Sequence, residues 1–259
     1  NLICAICLLL FALVSGAGTI QAAPAISDSA DTIRFYLDEK VAQQKSIQRS
    51  LFNRDLLQQF YDEREFEPAW HTDSGPTPLA AEMLRAIRLS RFDGLNPAHY
   101  HEESITLLMR LSREINGSAK VGLLANLDLL LTDAFLAIGY HLQHGRLKDR
   151  SLTAPDESLD KDGYLLGHLD QLLESGRVFT MLDSLKSSRE GYSSLRLALT
   201  RYIRIAERGG WKAVPPGMEL VPGDQDSRIP LIRTRLALTG DLVSNSTSPS
   251  TDDKTGTIF

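Results

Sequence analysis

Side chains able to do covalent chemistry are sparse in this chain. The only thiols are Cys4 and Cys7, inside an apolar run, so residues 8–259 offer no cysteine for thiolate attack. A Gly-x-Ser-x-Gly elbow, the mark of one class of activated serine, is absent. Six histidines raise the question of a metal. His99 and His101 are too close in sequence to share a helix face. His141 and His144 do share one, but no further ligand follows at the spacing a zinc site needs. They read instead as polar residues closing a helix C-terminus, where a histidine suits the dipole. Neither a metal nor a cofactor is expected.

Paired carboxylates would suit a glycosidase, with an acid and a second carboxylate flanking the sugar bond. Asp62, Glu63, Glu65 and Glu67 lie in a mixed-sign run typical of a solvated face. Asp128 and Asp133 are spaced so that they point in different directions from one helix. Nothing in the sequence singles out a pair. Among the aromatics, Trp70 follows Phe60-Tyr61, Phe66 and Pro68-Ala69, and Trp211 follows Gly209-Gly210. Either indole could stack on a sugar, but a tryptophan beside a turn more often plugs the edge of a helical core. The sequons at Asn116 and Asn245 have meaning only in a eukaryotic secretory pathway and read as chance.

The elements that must position these residues are helical. Leu123, Leu124, Leu127, Leu130, Leu131, Ala134, Phe135, Ile138 and Leu142 predict a helix over 123–142 that stops before Gly145. Apolar residues on more than one of its faces predict a surrounded spine. Tyr192, Leu195, Leu199, Tyr202, Ile203 and Ala206 predict a second helix, ending at Gly209-Gly210. Thr77-Pro78 and Asn96-Pro97 are start signals, a capping side chain followed by proline at the first helical position. Shorter helices are expected over 56–64, 104–115, 166–174 and 179–185. No period-2 alternation is sustained, so the expected class is all-α, without a major sheet.

The N-terminal apolar run Leu2 to Val14, followed by small residues through Ala25, has the form of a secretory signal peptide. It is shorter than the roughly 20 residues of a membrane span. Residues 1–25 are therefore expected to direct export to the periplasm, with no stable span after cleavage. A net charge of −5 without blocks of like charge argues against a nucleic-acid groove. The organisation that follows is a helical domain over 26–211, a Pro/Gly-rich linker over 212–228, a short helix over 229–242, and a Ser/Thr/Asp-rich flexible tail over 243–259.

Four stretches, taken in order, resemble the scaffold region of the large periplasmic murein L,D-transpeptidases. The first runs from Phe60-Tyr61-Asp62-Glu63-Arg64 through Phe66 to Pro68-Ala69-Trp70. The second is Asp93-Gly94-Leu95-Asn96-Pro97 through Tyr100-His101. The third is Leu127-Asp128-Leu129-Leu130-Leu131-Thr132-Asp133-Ala134-Phe135, continuing to Tyr140-His141 and His144-Gly145-Arg146. The fourth is Tyr192, Leu195-Arg196, Leu199 and Tyr202, then Gly209-Gly210-Trp211. A following segment, Arg228-Ile229-Pro230 through Gly240-Asp241-Leu242, is similar to the first helix of that family's peptidoglycan-binding module. The resemblance implies a part in peptidoglycan cross-linking. It also implies two partners, peptidoglycan and a catalytic domain bearing a Ser-His-Gly-Cys stretch. No such stretch occurs here, so this chain by itself is expected to be inert. The candidate binding or docking residues are Trp70, Tyr140, His141, His144 and Trp211. A free-standing helical envelope interaction protein is the alternative, and a peptidoglycan glycosidase a more remote one.

Overall fold

The computed structural model describes residues 28–38, 51–146, 163–242 and 256–257. The expected signal peptide over 1–25 and the polar stretch over 244–254 lie outside the described residues. Within them the protein is all-α: helices α1 (Ser29–Leu37), α2 (Arg54–Glu63), α3 (Pro78–Leu89), α4 (Glu102–Glu114), α5 (Ser118–His144), α6 (Tyr164–Ser175), α7 (Val178–Ser184), α8 (Tyr192–Glu207) and α9 (Ile229–Thr239). Strand is limited, among the described residues, to two antiparallel pairs of two residues each. One joins β1 (His71–Thr72) to β2 (Gly75–Pro76), the other β3 (Gln225–Asp226) to β4 (Gly256–Thr257).

Helix α5 is the spine. Its 27 residues make a rod about 40 Å long. From Leu124 to Gly139 every residue except Asn126 is buried, because α1, α3, α4, α6 and α7 pack around it. By length and composition α5 could cross a bilayer, yet its apolar surface is spent on the other helices. Close approach needs a glycine at one point. A β-carbon on Gly139 would lie 3.0 Å from Leu185 and 3.1 Å from Leu165, the side chains of α7's end and α6 that close over it.

Start signals act largely as the sequence suggests. The Thr77 side chain accepts from the Ala80 N–H and Pro78 opens α3. Asn53 caps α2 in the same way, accepting from Leu56. Asn96-Pro97 differs. It opens a single 3-10 turn, Pro97–Tyr100, and His101 then takes a left-handed conformation (φ 60°) before α4 begins. Helix α1 has no counterpart in the sequence reading, although its cap, Asp28 accepting from Ala30, is of the usual kind.

Helix α8 forms over the expected residues and ends before Gly209-Gly210, but it lies outside the core. Only Ile205 is buried along it, while Leu195 and Leu197 are 73% and 71% exposed. The continuous core runs from Ile33 to Leu185 and includes no residue of α8 or α9. Periodicity showed that α8 has an apolar side; it carried no information on whether anything covers that side.

Candidate functional site

The four sequence stretches meet in space through three aspartates and one histidine, Asp128, Asp133, Asp93 and His141. The most buried of these centres is Asp128, in the middle of α5 with no exposed surface. Its Oδ1 accepts from the Tyr61 hydroxyl at 2.7 Å and the Ala69 N–H at 2.9 Å. Its Oδ2 accepts from the Trp70 N–H at 2.8 Å and the His71 Nδ1–H at 2.7 Å. A carboxylate has about four acceptor positions, and all are used. One turn on, Thr132 Oγ1 lies 2.9 Å from both Trp70 Nε1 and the Tyr61 hydroxyl. The indole can only donate, so Thr132 accepts from Trp70 and passes its own proton to Tyr61 oxygen, while Tyr61 donates to the carboxylate. Burial, followed by the Asp128 charge, pushes the Tyr61 phenol well above its ordinary value, which keeps it the donor.

His71 continues the chain outward, with Nε2 3.1 Å from Ser29 Oγ on α1. A neutral imidazole here carries its proton on Nδ1, toward Asp128, and accepts the serine proton on Nε2. Ser29, His71 and Asp128 thus stand in the order of a hydrolase triad. Yet Ser29 and His71 are only 8% and 4% exposed. Buried in this way, the relay serves as a tie that fastens α1 to the spine.

Asp133 makes the second centre on α5. It accepts from the Phe52 N–H at 2.7 Å, and His101 Nε2 lies 2.8 Å from its other oxygen. That bond holds His101 in its left-handed conformation ahead of α4. Both helix aspartates are therefore buried and engaged, Asp128 with no exposure and Asp133 at 1%. Neither is available as a glycosidase acid or base.

Asp93 forms the third centre, more open than the others. It sits in a 3-10 turn (Ser90–Asp93) ended by Gly94 at φ 79°, a conformation that suits glycine. Its Oδ1 accepts from Arg196 Nε at 2.6 Å and from the Tyr192 hydroxyl at 3.1 Å. Lys186 Nζ lies 3.3 Å from Oδ2. Burial, then the neighbouring Asp93 charge, pushes the Tyr192 phenol up to about 12. Arg91, in the same turn, pairs with Glu207 at the far end of α8. Polar contacts at both ends thus hold a helix that the core does not.

The candidate residues from the sequence fall in three separate places. Trp70 is fully buried. Its ring belongs to the Asp128 lock, which corrects the reading of it as a surface or docking residue; the core reading holds. Trp211 is half-buried between α8 and α9, edge-on to Tyr202 at 6.2 Å and beneath the Arg235 guanidinium at 4.9 Å. Tyr140, His141 and His144 do come together, at the C-terminal end of α5. His144 stacks on Tyr140 at 4.5 Å, and its Nδ1–H donates to the Tyr140 carbonyl at 3.2 Å. His141 Nδ1 is 3.1 Å from the Tyr100 hydroxyl. Burial, then the Arg146 charge, lowers the His141 pKa. His144 is exposed; the other two are half-buried.

Sequence reasoning missed Asp128, Asp133, His71 and Ser29 as partners. A signal for two of them was present. Asp128 and Asp133 interrupt a segment apolar on every face, and a carboxylate in such a segment must be buried and satisfied.

A helical body whose ordered stretches are tied together by buried polar centres has the character of a framework. The Scaffold domain family matches residues 55–199, more than half of the chain, and the protein belongs to that family. No curated protein and no solved structure matches it.

Proposed function

We propose that the protein is the scaffold part of a murein L,D-transpeptidase, acting in the periplasm on peptidoglycan. In this reading the acyl transfer belongs to a separate cysteine-bearing domain. The observation that carries it is the linkage of the four ordered stretches. Asp128 joins the first to the third, Asp133 and His141 join the second to the third, and Asp93 joins the second to the fourth. Residues that carry the resemblance are thus the ones that hold the framework together. Membership of the Scaffold domain family supports the same reading.

The chain's own part is positional: a rigid spine on which a catalytic domain and a wall-binding module are mounted. Incubated with disaccharide-tetrapeptide muropeptides, the purified protein should give no dimers and no exchanged terminal residues by mass spectrometry. The reading also requires a Ser-His-Gly-Cys stretch in the same gene. An intact gene without one overturns it in favour of a free-standing envelope interaction protein. The exposed Leu195 and Leu197 on α8 are the observation favouring that second reading. Pull-down with insoluble sacculi tests wall contact for both.

A further inference from the structure

A groove of about 380 Å³ runs between α3, α7 and α8. That is within the usual size of a ligand-binding cleft, roughly 300–1,000 Å³. Leu89, Phe92, Leu142, Phe179 and Leu197 give it an apolar floor and wall. Its rim carries Lys186, Arg196 and Arg204 against Asp93 and Asp183, a small cationic excess that is unevenly used. Lys186 is bound to both Asp93 and Asp183, and Arg196 to Asp93, whereas Arg204 lines the groove with no ion pair among the described residues. One turn along the same surface, Arg208 is exposed and also has no ion pair there.

The local charge is opposite to that of the whole chain. Residues 192–242 carry Arg196, Arg201, Arg204, Arg208, Lys212, Arg228, Arg233 and Arg235 against Glu207, Glu219, Asp224, Asp226 and Asp241, a net of +3 in a chain of −5. Hydroxyls add hydrogen-bonding capacity for a backbone. Thr200 and Ser90 line the groove and spend their own protons on the Arg196 and Ile87 carbonyls, which leaves their oxygens as acceptors.

From these features we infer that the groove binds an acidic peptide segment of a partner protein. One apolar side chain of the peptide sits on Leu89, Phe179 and Leu197, and flanking carboxylates meet Arg204 and Arg208. Guanidinium groups suit this task because their planar fork accepts a carboxylate through two hydrogen bonds. A simple lipid chain would leave the polar rim unused, and a sugar would leave the apolar floor uncovered. The inference does not depend on the transpeptidase reading, since it rests only on the groove and its charges.

Selection of a displayed random twelve-residue peptide library against the purified protein tests it. Enriched sequences should place Asp or Glu on either side of a Leu, Ile, Met or Phe. Their affinity, measured by fluorescence anisotropy with labelled synthetic copies, should fall at least tenfold in the double variant Arg204→Glu, Arg208→Glu. It should also weaken as salt is raised. Leu197→Ser should weaken binding without altering the salt dependence. All three side chains are exposed, so circular dichroism and melting should match the parent. No enrichment, enrichment of basic or purely apolar sequences, or binding that survives the double charge reversal would each overturn the inference.

Discussion

Asp128 and Asp93 are both carboxylates that collect several donors, yet they hold the molecule in different ways. Asp128 is surrounded by the core and meets backbone N–H groups, a phenol and an imidazole, all within the protein interior. Asp93 lies at the edge, its own carboxylate 8% exposed, and meets two cations that reach the surface, Lys186 at 16% and Arg196 at 43% exposure. Loss of Asp128 strands donors that water cannot reach, whereas loss of Asp93 leaves cations at the surface that water can serve. The first centre should therefore control whether the body folds, and the second only whether α8 stays against it.

The largest expected effect follows from removing the buried acceptor. Asp128→Ala strands the Tyr61 hydroxyl, two backbone N–H groups and the His71 ring at once. A loss of about 3–5 kcal/mol is expected, the range for breaking a buried charged network. That is a large share of a typical net stability of about 5–15 kcal/mol. Urea titration followed by circular dichroism checks it. Asp128→Asn should recover little, because its amide NH2 would face donors in place of an oxygen. A loss below 1 kcal/mol for Asp128→Ala would equate the two centres and end the distinction.

Leu130→Ala and Phe135→Ala probe the same spine without touching its polar bonds. Each side chain is buried, at 2% and no exposure, and each truncation should cost about 2–5 kcal/mol. These apolar positions were legible in the sequence because a 3.6-residue period over a long window is a strong signal. The polar lock was not legible. Its members, Ser29, Tyr61, Trp70, His71 and Asp128, come from distant segments, and a pairing of that kind leaves no periodic trace. Asp128 could be suspected from its apolar neighbours, but its four donors could not be named. Tyr61 and Trp70 were visible as part of a resemblance, with no indication that they share one acceptor.

Asp93→Ala should act locally. Global stability should fall by about 1 kcal/mol or less, as for partly exposed ion pairs. Hydrogen exchange over 192–207 should speed up while that over 124–139 is unchanged. The clasp should also respond to alkali. The Tyr192 phenol, about 12 when folded against an ordinary 10.0, favours the attached state while neutral. Its contribution is complete below pH 10 and disappears as pH rises toward about 12. Phenolate absorbance and α8 exchange should change together over that window, and Tyr192→Phe should abolish the coupling. Exposure of α8 could not be foreseen, since a helical period identifies an apolar side but not its cover.

At the far end of α5, two histidines one turn apart should separate in the same manner, with smaller amplitudes. His141 is half-buried with its pKa lowered by burial, so its neutral form suits the folded state. Its support is complete above the ordinary value of 6.5 and is lost as pH falls through that region, and His141→Gln should flatten the dependence. His144 is exposed, and its ring gives up only a stack on Tyr140 and a bond to a carbonyl that water can reach. His144→Ala should therefore change stability by no more than about 0.5 kcal/mol, the usual range for a surface position. If this edge carries the docking proposed for a catalytic domain, the substitution should instead loosen association between domains in a protein that contains both. Differential scanning calorimetry on the isolated scaffold measures the first quantity, and limited proteolysis between domains the second. A loss for His144→Ala as large as that for Leu130→Ala would place the histidine in the core and remove this end of the spine as a docking edge.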